Sequence, residues 1–238
     1  MKARQLYEAG KLEEAIGALS DELRNDPTNV RQRTFLFELL CFAGHYDRAG
    51  KQLEVIAGSS KEAELGAWLY RSALHAERTR QERFDPDGPL IIPPAAPVVT
   101  GTLNGKPFTS LVDADPRVGA RLEVFAAGQY TWIPFRHISS VAMEPPQRLR
   151  DLLWSPARVM PGEKFEELEL GEVLLPVLAA GSWRSDDDEV RLGRVTDFVA
   201  VDDEHAVPVG QKLLLVDDEP VPFLEVRELV ITPAASGE

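Results

Sequence analysis

The sequence predicts an α+β protein: an N-terminal tetratricopeptide-like helical layer followed by a mainly antiparallel, β-rich domain with one short inserted helix. Three observations predict this. Residues 1–84 carry apolar positions at helical spacing and repeat every 34 residues, residues 85–97 hold five prolines in thirteen positions, and from residue 98 the apolar pattern alternates. The expected organisation is a helical domain over 1–84, a proline-rich linker over 85–97 and an acidic α+β domain over 98–238.

The repeat is read residue by residue. Gly10, Leu12, Ala15, Leu19 and Leu23 recur 34 residues on as Gly44, Tyr46, Ala49, Leu53 and Ala57, the period of the tetratricopeptide repeat. Each unit is then a pair of antiparallel helices turned at Gly10 or Gly44, with Ala15 and Ala49 small enough for close packing. In the first unit LEEAIGALSDEL forms the second helix and Asn25-Asp26-Pro27 ends it. The second unit runs through FLFELLCFAGHYDRAGKQLEVIA, and KEAELGAWLYRSALHAERTRQERF supplies a third first-helix with no second helix after it.

Stacked helix pairs leave a concave groove lined by their first helices. The register assigns to it Arg4, Tyr7, Glu8, Arg31, Thr34, Glu38, Cys41, Phe42, Trp68, Ser72 and His75. A peptide or partner helix is the expected occupant. In the competing reading the third helix fills the groove and makes Phe42 and Trp68 core.

Beyond the linker, VVTGTLNGKPFTSL carries Asn104-Gly105 between apolar runs, a hairpin signal, with Pro107 placing the second strand at an edge. RLEVFAAGQYTWIPF reads as a second hairpin turning at Gly128, with Leu122, Val124, Tyr130, Trp132 and Phe135 packing, and HISSVAM adds a strand. EPPQRLRDLLW reads as a short helix opened by two prolines. GEVLLPVLA, RVTDFVAV, QKLLLVD and FLEVRELVI complete the strands, with Asp217-Asp218-Glu219-Pro220 turning the last pair.

Charge narrows the function classes. The net charge is -13. Residues 1–84 carry 13 basic and 13 acidic residues, so the whole excess of acid lies in the remainder. That balance repels nucleic-acid phosphates and anionic lipid, and neither is an expected partner. Cys41 is the single cysteine, which excludes an internal disulfide and a thiolate-rich zinc site. The start lacks an apolar signal core and no run reaches the roughly 18 apolar residues of a membrane span, so the cytoplasm is the expected compartment.

Candidate chemistry is sparse. Asp186, Asp187, Asp188 and Glu189 are the best metal candidate, but consecutive carboxylates in an extended segment point to opposite sides and lack the alternation of a calcium loop. They read as an exposed turn, with Leu192, Val195 and Phe198 holding the sheet beyond it. Arg191 and Arg194 can pair with those acids or with Asp197. His45, His75, His137 and His205 show no metal-ligand spacing, and Ser182 lacks a nucleophile elbow. No cofactor, metal or catalytic residue is expected. Arg148, Arg150, Asp151 and Trp154 form a candidate second interface, since Trp and Arg are enriched at interface hot spots; alternatively Leu149, Leu152, Leu153 and Trp154 anchor this helix to the sheet.

Four segments, VDADPRVGARLEVFAAGQYTWIPFRHI, EPPQRLRDLLWSPARV, DDDEVRLGRVTDF and GQKLLLVDDEPVPFLEVREL, occur in the order seen in one family. Through them the chain resembles the ImpE (SciE or TagJ) family of type VI secretion accessory proteins. The resemblance implies a non-enzymatic adaptor, bound to a small subunit of the contractile sheath, to the ClpV-type AAA+ unfoldase that recycles it, or to both. Two features depart from the family pattern: the helices that often follow the third helix are replaced by the proline-rich linker and one hairpin, and the usual YPGS reads AAGS at 179–182. Two alternatives stand beside the adaptor. One is a hydrolase-like enzyme using a carboxylate pair of the acidic domain; the other is a general peptide-binding co-chaperone acting through Arg4, Arg31 and Trp68.

Overall fold

The computed structural model describes residues 2–85, 88–94, 96–162 and 170–232. Five helices come first: α1 (Lys2–Glu8), α2 (Leu12–Asn25), α3 (Val30–Phe42), α4 (Tyr46–Ala57) and α5 (Lys61–Arg83). Gly10 and Gly44 turn the chain between paired helices with φ of +73° and +71°, the left-handed region that favours glycine. Asn29 caps α3 by accepting from the Gln32 N–H at 3.1 Å, and Ser60 caps α5 by accepting from Ala63 at 3.1 Å. Leu12, Ala15, Ile16, Leu19 and Leu23 bury one stripe of α2, as the spacing predicts.

The strands are β1 (Gly101–Leu103), β2 (Lys106–Phe108), β3 (Leu111–Asp113), β4 (Arg121–Ala126), β5 (Gln129–Pro134), β6 (Ile138–Met143), β7 (Trp154–Pro161), β8 (Glu172–Pro176), β9 (Thr196–Ala200), β10 (Ala206–Gly210), β11 (Leu213–Val216), β12 (Glu219–Pro222) and β13 (Glu228–Ile231), with a one-turn helix α6 (Asp188–Arg191) before β9. Among the described residues, eight strands form one antiparallel sheet in the order β2-β1-β13-β6-β7-β8-β4-β5. β12-β11-β3 and β10-β9 form two smaller sheets. Asn104 turns β1 into β2 with φ of 50°, and its side chain accepts from the N–H groups of Arg227 and Glu228.

Some elements differ from expectation. EPPQRLRDLLW holds only a 3₁₀ turn, Leu149–Leu152, because Trp154 already opens β7. Asp217 and Asp218, both at positive φ, turn β11 into β12, whereas FLEVRELVI contributes β13, which pairs with β1 and β6. Val195 and Phe198 do not hold the main sheet. They are 45% and 51% exposed, since β9 pairs with β10 in a separate ribbon. Leu192 is buried, but in the helical core. Pro86, Asp87 and Ala95 of the proline-rich segment lie outside the described residues, and 88–94 form neither helix nor strand.

The helical layer and the sheet share a core. The apolar cluster of the helices includes Phe125, Leu153, Trp154 and Leu192 from the second half of the chain, while a second cluster fills the sheet around Val124, Phe135 and Leu175. Beside the shared core lies a buried ionic network. Arg80 of α5 donates to both carboxylate oxygens of Glu123 on β4 and to the Leu178 carbonyl, and Lys212 bridges Glu123 and Asp113. Burial disfavours the Glu123 carboxylate, but the charges of Arg80 and Lys212 and their hydrogen bonds outweigh it and hold its pKa below the ordinary range. Asp113 goes the other way, pushed by burial up to about 6 against the opposing charge of Lys212.

Candidate partner-binding groove

The outward face of α3 is polar at its start and apolar at Phe35, because its other face carries Leu36, Phe37, Leu39 and Leu40 into the core. α1 packs alongside, with the Tyr7 and Phe35 rings edge to face at 5.8 Å. Opposite them runs the Pro146–Leu152 segment, held in shape by Asp151, whose carboxylate accepts from the N–H groups of Gln147 and Arg148 at 2.9 Å each. The two walls enclose a groove of about 970 Å³, with Tyr7, Phe35, Leu149 and Leu152 as its apolar lining and Arg4, Arg31, Arg148 and Arg150 as its cations.

Thus five residues of the expected groove, Arg4, Tyr7, Arg31, Thr34 and Glu38, line one cavity together with Arg148 and Arg150 of the expected second interface. The two surfaces are a single one. Glu38 is buried, with Arg150 3.7 Å away. Burial pushes its carboxyl up to about 7, opposed by the charge of Arg150 and reinforced by that of Asp151. The Arg150 guanidinium also lies 4.6 Å over the Tyr70 ring. Arg31 and Arg148 make no ion pair among the described residues.

Other expected residues lie elsewhere. Cys41, Phe42 and Trp154 are buried in the core: Trp154 packs against Phe37 and Tyr70, which also touch each other, and donates its indole N–H to Glu77 at 2.9 Å. Asp151 is buried and turns the backbone. Glu8 is exposed and pairs with Arg4. Trp68 stands 62% exposed on α5, so the third helix does not fill the groove with it, and Ser72 and His75 lie along the same helix outside the cavity. Val30, Phe35, Pro146, Gln147, Leu149 and Leu152 line the groove without having been expected there.

The acidic run serves the helical layer. Asp186 and Asp187 are exposed, and Asp187 caps α6 by accepting from Glu189 N–H. Asp188 reaches across and accepts from the Leu12 N–H at 2.7 Å, capping α2, whose own preceding residue Lys11 makes no cap. Arg191 links Asp188 to Glu13, and Arg194 donates to Glu189 and to the Tyr7 and Glu8 carbonyls at the end of α1. The segment fastens the first helix pair, whose α1 shares one groove wall with α3, to the second half of the chain.

The family described as "ImpE protein" matches residues 105–230, which include the second groove wall and this acidic clasp. A type VI secretion system accessory component, TagJ of Pseudomonas aeruginosa, is 32% identical over 266 aligned residues covering 98% of this chain and 92% of the relative. The chain belongs to the ImpE family. An X-ray crystal structure of a Vibrio parahaemolyticus protein superposes on 99% of this chain and 99% of its own with a TM-score of 0.86 at 21% identity, so the fold recurs where most side chains have changed. The ImpE motifs seen in the sequence sit where they matter structurally: EPPQRLRDLL is a groove wall and DDDEVRLGR is the clasp.

Proposed function

We propose that this ImpE protein is a non-enzymatic accessory adaptor of a type VI secretion system and that the groove between α1, α3 and Pro146–Leu152 is its partner site. The carrying observation is the groove's composition: four arginines around an apolar lining, in a chain of net charge -13. Such a site favours an acidic segment with an apolar face. The small sheath subunit, the ClpV-type unfoldase or both are the proposed partners. Of the buried acids with displaced pKa values, Glu123 and Asp113 are sealed inside the molecule and engaged by Arg80 and Lys212, and Glu38, at the groove, is buried with Arg150 3.7 Å away, which supports a structural role for them. A pull-down from cells expressing the full secretion cluster tests the reading. Recovery of sheath subunits or ClpV is the expected result, and recovery of neither overturns it.

A further inference from the structure

A second cavity, of about 580 Å³, lies between the end of α5, the proline-rich segment and the β4-β5 hairpin. Trp132 of β5 lines it, stacked between two arginines. The guanidinium carbons of Arg83 and Arg121 each lie 3.9 Å from the Trp132 ring centroid, and one indole face has no room for both at that height, so they occupy opposite faces. Arg121 is pinned by donating to the Val118 and Arg117 carbonyls at 2.7 and 2.8 Å.

The charge around this stack is uneven. Arg117, which also lines the cavity, is neutralised by Asp115 at 2.6 Å. Two carboxylates line it as well: Asp202 accepts from the N–H groups of Glu204 and His205, and Asp85 faces Arg184 at 3.9 Å. Arg83 and Arg121 have no ion pair among the described residues, and burial together with the Arg83 charge lowers the Arg121 pKa from its ordinary value. Stacking occupies the flat face of a guanidinium and leaves its in-plane N–H groups to bond a carboxylate or phosphate; in Arg121 the Nε and Nη2 bonds to Val118 and Arg117 use one edge, and the Nη1 side remains for an anion. Leu90, Ile91 and Pro93 add apolar wall, and the volume is that of a small-molecule site.

We propose that this cavity binds a small organic anion carrying two carboxylate or phosphate groups, one against Arg83 and one against Arg121, with its apolar body along Leu90, Ile91 and Pro93. The site is separate from the partner groove, and its test is independent of the adaptor reading.

Isothermal titration of the full chain at about 0.15 M salt, with citrate, pyrophosphate and inorganic phosphate as probes, decides it. Citrate or pyrophosphate is expected to bind with a Kd below about 1 mM, and inorganic phosphate, offering one group, roughly tenfold more weakly. The preferred probe tells a carboxylate ligand from a phosphate one. Arg83→Gln, at an exposed helix end, and Arg121→Gln should each weaken binding roughly tenfold with the circular dichroism unchanged. A purely structural stack would move the Tm of these variants without any binding to lose. The proposal is overturned if neither citrate nor pyrophosphate binds at about 10 mM, if inorganic phosphate binds as tightly as they do, or if Arg83→Gln binds like the wild type.

Discussion

The Arg80 guanidinium grips the Glu123 carboxylate with two hydrogen bonds of 2.7 and 3.0 Å, and neither side chain is more than 2% exposed. This pair joins the last helix of the repeat layer to the sheet. Removing one partner of a buried ion pair leaves the other charge desolvated, which costs about 3–5 kcal/mol. Arg80→Met should therefore lower the unfolding free energy by about that amount, read as a shift of the urea midpoint. A shift no larger than that of an exposed control such as Arg24→Met would mean that the network contributes little.

Asp188→Ala removes the cap on α2 and one of the two partners of Arg191. The expected cost is about 1–2 kcal/mol, felt first in the helices it holds. Hydrogen exchange should accelerate in α1 and α2 more than in α4. Uniform acceleration would argue against a local clasp.

Gly44→Ala and Gly10→Ala both place a side chain at positive φ against an occupied neighbour. The added Cβ would lie 2.5 Å from the Trp183 ring in the first and 2.0 Å from the Glu189 carboxylate in the second. Each should cost more than about 1 kcal/mol in equilibrium unfolding. Gly44→Ala should be the worse of the two, since a packed indole yields less readily than a half-exposed carboxylate.

Glu38 predicts a pH dependence. Its carboxyl, raised to about 7 in the fold by burial, with Arg150, Arg148 and Asp151 facing it, still holds a proton that the unfolded chain releases near 4.5. A carboxyl raised on folding contributes stability that is present at low pH and lost as pH rises from the unfolded value through the folded one. Glu38→Gln cannot lose it. The variant should therefore gain stability relative to the wild type between about pH 5 and pH 8, by up to about 3 kcal/mol. A gap between the two urea midpoints that stays constant over that range would contradict this.

What was legible in the sequence was whatever depends on near neighbours. The 34-residue period, the Gly10 and Gly44 turns and the Asn104-Gly105 hairpin are local, and the structure contains them. The groove's first wall followed from that register. Its second wall did not, because Pro146–Leu152 meets α3 only through the path of the sheet. Asp188 was hidden for the same reason: its partner, Leu12, lies 176 positions away. Alternation misled at RVTDFVAV, since an apolar strand pattern does not say whether anything packs on it. Arg80, Glu123 and Lys212 each looked like ordinary charged residues, and only their meeting makes a network.

The groove's role as the partner site is decided by calorimetric titration of the purified small sheath subunit, and separately of the ClpV-type unfoldase, into the full chain and into Arg31→Glu/Arg148→Glu. Both arginines are exposed and free of ion pairs among the described residues, so the fold should survive the change. At least one of the two partners should bind the wild type and bind the variant at least roughly tenfold more weakly, with Tm changed by no more than about 4 °C. Equal affinity for the wild type and the variant would place the partner elsewhere and contradict that role.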